Sequence, residues 1–291
     1  MISTILALAT LFAAADPAPP IIARDVVYRT VEGRPLALDA YRPAGDGPFP
    51  AVLTIHGGAW RMGSKAMDAP FAHRLVKEGF AVFAVDYRLA PAATYPAQID
   101  DCAAALQFVR AHAAEYQVDP KRVGALGASA GAHLAALLAT RDDGADPKSA
   151  DPLRRESTRL ACVGAWFGPM LLVKPRVERP DGPERLVTDF MGKDADVAAY
   201  RAASPLLAVS ADDPPFLLVH GTKDDLVSIR QSEGFAAALE RVKVPCELVR
   251  VEGGGHGDFI LRDPDGEYWK KTIAFLREKL RPAAATTTPA R

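Results

Sequence analysis

Short apolar runs alternate with helical periodicity along most of this chain. Residues 52–55, 80–85, 123–126, 160–165 and 216–219, and the more mixed run 246–251, are short and mainly apolar, too short for helices. A strand that is apolar on both sides is one covered on both faces, as in a parallel sheet. Two earlier runs, residues 24–31 and 36–41, alternate polar with apolar positions in the manner of an antiparallel edge pair. Helical patterns fill the gaps, notably over residues 97–115 and 228–241. This alternation predicts an α/β domain over residues 24–281, with a mostly parallel central sheet and helices on both faces. Residues 171–196 are proline-interrupted, carry mixed charge and match no core element, so they read as a small insertion over a cleft.

The ends of the chain have a different composition. Residues 2–15 are apolar and finish on Ala13-Ala14-Ala15, a small-residue pattern of the kind cleaved after a signal peptide. Export with cleavage after Ala15 is therefore expected, although no Lys or Arg precedes Arg24. The run is short of the roughly 20 apolar residues of a membrane span, so no integral span is expected. The last ten residues, 282–291, are rich in Ala, Thr and Pro and are expected to be a disordered tail.

Overall balance narrows the classes further. The 291 residues are 49% hydrophobic and 24% charged, with a formal net charge of −1. Near neutrality gives no electrostatic basis for binding nucleic acid. A core of this size needs no metal or disulfide support. Cys102, Cys162 and Cys246 show no metal-ligand spacing and read as small buried hydrophobes, with a Cys102–Cys162 or similar bridge left open. The acidic run 142–151 lacks calcium-loop spacing and reads as a solvated loop. Neither a metal nor a cofactor is expected.

The candidate chemistry sits in three loops. Gly127-Ala128-Ser129-Ala130-Gly131 follows one predicted strand and opens a helix. On a sharp strand-to-helix turn of this kind a serine hydroxyl is exposed, and the flanking glycines let the backbone pass close by. Asp224 and His256 each follow a later strand, which gives the chain order Ser…Asp…His. A serine hydroxyl is a weak nucleophile until a base removes its proton. Histidine can accept that proton near neutral pH, and a carboxylate behind it fixes the tautomer. The expected roles are Ser129 as nucleophile, His256 as base and Asp224 as orienting acid. His56-Gly57-Gly58-Ala59-Trp60 follows another strand, where backbone N–H groups can converge on an oxyanion. The N–H groups of Gly58, Ala59 and Ala130 are the expected donors.

Several neighbours compete for these roles. Asp225 is an alternative acid. His133, four residues after Ser129, precedes the acid in the chain and reads as a packed helix histidine near the site. His220 closes a strand and is expected to hold the acid loop. His73 and His112 read as ordinary surface or packing residues. Trp60 can line an acyl pocket or simply pack beside the turn, and Trp166 and Phe167 can likewise face the cleft.

Beyond these residues, Asp86-Tyr87-Arg88-Leu89-Ala90-Pro91, the run 95–101, GASAGAHLAALLAT at 127–140 and the stretch 204–227 carry a family resemblance. Together they resemble the bacterial carboxylesterases of the α/β-hydrolase superfamily, in the feruloyl/acetylxylan esterase-like branch beside the hormone-sensitive-lipase family. The resemblance spans residues 26–280. It implies an α/β-hydrolase fold and a serine esterase acting on small-molecule esters of small or aromatic acids through an acyl-enzyme. The His-Gly-Gly-x-Trp pattern is also similar to arylformamidases, which keeps a formamide substrate as an alternative. A non-catalytic binding protein on the same fold is the alternative from another class. Two positions depart from the family pattern: Ala132 and Ala59 stand where it often has glycine.

Overall fold

The computed structural model describes residues 21–175 and 182–281. The proposed signal peptide and C-terminal tail lie outside the described residues. Eight strands form one sheet: β1 (Ile21–Val31), β2 (Arg34–Tyr41), β3 (Phe49–Ile55), β4 (Ala81–Val85), β5 (Val118–Ala128), β6 (Val163–Trp166), β7 (Phe216–Gly221) and β8 (Cys246–Val251). Their spatial order is β1-β2-β4-β3-β5-β6-β7-β8. β1 and β2 are antiparallel, β2 and β4 are antiparallel, and every later pairing is parallel. This is the mostly parallel arrangement of an α/β-hydrolase.

The helices follow the strands: α1 (Ala69–Lys77), α2 (Ala97–Ala111), α3 (Ala130–Thr140), α4 (Gly182–Met191), α5 (Val197–Ala202), α6 (Pro205–Ala208), α7 (Arg230–Arg241), α8 (Asp258–Arg262) and α9 (Glu267–Lys279). Residue parity along the strands divides the core in two. Leu53, Phe83, Val123 and Leu218 point to one side, where α2, α3 and α7 contribute residues such as Leu106, Leu134 and Phe235. Val52, Val82, Leu126 and Leu217 point to the other, where α1 and α9 supply Leu75, Trp269 and Leu276. Side chains that alternate at period two, with apolar residues at both parities, require cover on both faces. α3 is buried at every position, as its nearly all-apolar sequence demands, and it takes His133 and Thr140 into the core with it.

Two expectations are refined. The insertion expected over the cleft does lie there, with Leu171, Leu186 and Val187 on the cavity, but its described residues, 171–175 and 182–196, also reach the core. Within them α4 buries Phe190 and Met191 in the core, at 0% and 3% exposure. A helix that buries apolar residues only at its C-terminal end offers too short a signal against a charged first turn. Cys102 and Cys162 lie in the cores of opposite sheet faces, and all three cysteines are free, so the bridge left open above does not form. Among the described residues, no helix is long and apolar enough to cross a membrane.

Candidate active site

Ser129 joins β5 to α3 with φ 54° and ψ −119°, a conformation that L residues avoid. The strain persists because the surroundings fix it. The Ser129 N–H donates to Trp166 O at 2.8 Å, and Ser129 O accepts the His133 N–H at 3.1 Å. Both motif glycines are dictated by close backbone approach. A Cβ on Gly131 would lie 1.8 Å from Ile55 O, and one on Gly127 would lie 2.3 Å from Gly131 O. The turn can be this sharp only where neither residue carries a side chain.

The loops after β7 and β8 meet this turn at the carboxyl edge of the sheet, where open α/β sheets place their sites. His256 Nε2 is 2.9 Å from Ser129 Oγ, and His256 Nδ1 is 2.8 Å from Asp224 Oδ2. With Nδ1–H donating to the carboxylate, Nε2 is left as acceptor for the serine hydroxyl. Asp224 side-chain atoms are fully buried. Burial alone would raise its pKa. Hydrogen bonds from His220, His256 and the Val227 N–H outweigh it and hold the carboxyl well below the usual range. The Leu226 and Val227 N–H groups both donate to Oδ1, at 3.0 and 2.8 Å. His220 Nε2 stands 3.2 Å from Oδ2 and donates to Val227 O at 2.7 Å, so this histidine does tie the acid loop together. Asp225 is exposed. Such a relay can take a proton from Ser129 and return it to a leaving group.

The loop after β3 completes the geometry. Gly58, Ala59 and Trp60 all adopt left-handed backbone, with φ of 110°, 52° and 59°. A Cβ on Gly58 would lie 2.1 Å from Met62 O, so glycine is required there. Ala59 keeps its methyl in a conformation that favours glycine, at a cost of about 1–2 kcal/mol. The family's preferred residue there has a backbone reason, and the N–H remains. Ala132, the other departure, packs on Gly168, where a Cβ would lie 2.7 Å from the Ala132 methyl. The Ala130 N–H opens α3 and has no intrahelical acceptor.

Ser129, Ala59, Trp60 and Ala130 face one cavity of about 490 Å³. Leu171, Leu186, Val187 and Leu226 give it an aliphatic wall, with Lys174, Glu184 and Gln231 also on its lining. Trp60 contributes to that wall while also packing at 3% exposure. Trp166, expected to face the cleft, instead packs against Phe71, Tyr268 and Trp269 on the opposite sheet face. Strand parity explains the error: Ala165 faces the α3 side, so Trp166 faces the other. Phe167 is also absent from the cavity wall. Its ring stands edge-on to the His256 imidazole, centroids 4.9 Å apart, and backs the histidine.

Some contributors carry no local sequence signal. Gln231 Oε1 accepts the N–H groups of Met170 and Leu171 at 2.9 and 2.8 Å, which holds the start of the cavity wall. The segment that carried the resemblance supports the loop after β3. Tyr87 Oη donates to His56 O at 3.0 Å and stacks on its ring, and Arg88 binds buried Asp101 through both carboxylate oxygens.

Known proteins are similar to this chain. The "Probable carboxylic ester hydrolase LipM" of Mycobacterium tuberculosis is 34% identical over 226 residues, 72% of this chain and 50% of the relative. The chain thus spans about half the length of the curated relatives it matches. A truncated carbohydrate esterase from gut microbiota superposes with TM-score 0.79 at 27% identity, covering 91% of this chain and 98% of the other. A thermophilic esterase from Thermogutta terrifontis gives TM-score 0.73 at 30% identity, covering 91% and 92%. The BD-FAE family model matches residues 38–239, which take in β3 to β7, the Ser129 turn and the Asp224 loop, and the chain belongs to that family.

Proposed function

We propose that this protein is a serine hydrolase that cleaves carboxylic esters of small or aromatic acids through an acyl-enzyme. The observation that carries the reading is the unbroken relay Ser129 Oγ–His256 Nε2 and His256 Nδ1–Asp224 Oδ2, at 2.9 and 2.8 Å. Ser129 Oγ attacks the ester carbonyl as His256 takes its proton. The N–H groups of Gly58, Ala59 and Ala130 stabilise the oxyanion, each worth about 3 kcal/mol of barrier. The imidazolium, held by Asp224, then protonates the departing alkoxide as the carbonyl re-forms. Water activated by His256 attacks the acyl-serine and releases the acid, which restores the Ser129 hydroxyl. Relatives and neighbours are named as ester hydrolases, which favours this reading over a formamide substrate or a non-catalytic role.

A small or compact acyl group suits the aliphatic cavity, and the Thermogutta terrifontis esterase is also described with propionate and with butyrate bound. Labelling with a fluorophosphonate, followed by peptide mapping, tests the reading. Covalent modification at Ser129 with parallel loss of p-nitrophenyl acetate hydrolysis is expected; hydrolysis that survives full labelling would overturn it. Export with cleavage after Ala15 is proposed on the apolar run 2–15 and its small-residue end. N-terminal sequencing checks it: a mature protein that begins at Asp16 supports export, and retained Met1 rejects it.

A further inference from the structure

His133 lies one turn beyond Ser129 on α3 and is fully buried. Both of its ring nitrogens are engaged. The Trp60 Nε1–H donates to Nδ1 at 3.2 Å, so Nε2 carries the hydrogen and donates to Ala203 O at 2.8 Å. Burial lowers its pKa to about 4, which keeps the ring neutral and the Nδ1 lone pair free for the indole.

Trp60 is held from three sides. Besides His133, its ring stacks on Phe190 of α4, centroids 4.4 Å apart, and its carbonyl accepts the Ala90 N–H at 2.8 Å. It ends a run of three left-handed residues, Gly58 to Trp60, of which only the first is glycine. Consecutive left-handed residues are disfavoured for L amino acids, so such a loop keeps its shape only where later contacts fix it. The residue held by His133 therefore directly follows the two N–H donors assigned to the oxyanion.

We propose that His133 is a positioning residue for the reaction, anchoring Trp60 so that the Gly58 and Ala59 N–H groups stay aimed at the oxyanion. This rests on Ser129 being the nucleophile. Because Ser129 caps the helix that carries His133, the same element sets nucleophile and donors relative to each other. His133 touches no reacting atom and acts only through the indole.

The test compares His133→Leu, His133→Asn, Trp60→Phe and the double variant His133→Leu/Trp60→Phe. Hydrolysis of p-nitrophenyl acetate is expressed per site titrated to completion with a fluorophosphonate, which removes any difference in folded fraction. His133→Leu is expected to lower kcat by about 10- to 100-fold with KM within about twofold, the scale of a small misplacement of catalytic donors. Binding of a phenylboronic acid, which forms a tetrahedral adduct, should weaken by a similar factor. His133→Asn, whose side-chain oxygen can accept the indole N–H, should recover most of the loss. Adding His133→Leu to Trp60→Phe should change little, since the donor is already gone. Unchanged kcat per titrated site, equal effects of Asn and Leu, or losses that multiply in the double variant would each overturn the proposal. Should His133→Leu not fold, Trp60→Phe, which keeps the stack on Phe190, carries the test by the same kcat and boronate readouts. If the unaltered enzyme itself fails to label at Ser129, the esterase reading fails instead, before any His133 variant is compared.

Discussion

Asp224 Oδ2 lies 2.8 Å from His256 Nδ1, while the carboxylate of the next residue, Asp225, is turned to solvent. The two acids are adjacent in the chain and only one is held by backbone N–H groups. Asp224→Asn is expected to lower kcat by about 10⁴-fold, because the amide disturbs the histidine tautomer. Asp225→Asn should change kcat less than twofold by the same logic of exposure. Steady-state kinetics of both variants decide the assignment, and the reverse order would move it to Asp225.

Ser129→Ala removes the hydroxyl and almost no packing. Turnover should fall on the order of 10⁶-fold while the melting temperature stays the same or rises, since the strained turn is kept by its glycines. Retention of more than a small fraction of activity per folded molecule, measured beside a thermal melt, would argue for another nucleophile.

Gly131→Ala places a methyl carbon 1.8 Å from Ile55 O, a contact that only backbone movement can relieve. Loss of more than about 4 kcal/mol is expected, at the exceptional end for single substitutions. Expression of soluble protein and chemical denaturation provide the check, and near-normal stability would contradict the tight turn.

Asp68 is a buried carboxyl outside the catalytic relay, and burial raises its pKa to about 7, with the Asp86 charge adding to the rise. The folded state therefore keeps this proton to higher pH than the unfolded chain does. Stability from this group is full below roughly pH 4 and falls by up to about 1.4 kcal/mol per pH unit on the way to pH 7. Asp68→Asn should flatten that part of the stability profile and raise stability most at pH 8. Denaturant midpoints at several pH values test this; an unchanged slope would show that Asp68 titrates normally.

Acyl-chain preference should follow the aliphatic wall of the cavity. Each methylene buried against Leu171, Leu186 or Leu226 contributes about 0.8 kcal/mol, so butyrate esters should exceed acetate in kcat/KM. Palmitate should fall away once its chain passes beyond the cavity into water. Leu186→Trp is expected to reduce butyrate hydrolysis several-fold more than acetate hydrolysis. A steady rise to palmitate with activation at an oil–water interface would indicate a lipase.

The strand runs, their parallel character and the three catalytic loops were legible in the chain because each depends on local chemistry. An apolar run flanked by turn residues is a strand whatever its neighbours, and Gly127 and Gly131 mark a turn that no other residue allows. The order Ser129, Asp224, His256 could be read for the same reason. What local sequence does not encode is which face a residue joins once strands are paired. Trp166 and Phe167 both read as possible cleft residues in the chain, yet pairing of the strands sends both to the far core. Charge on α4 concealed Phe190 and Met191, and Phe190 is buried against Trp60 and Tyr95, far away in the chain. The bond from Trp60 to a histidine 73 residues away arises only from packing of distant segments. Long-range contact is set by the whole chain's burial, and that is decided in three dimensions.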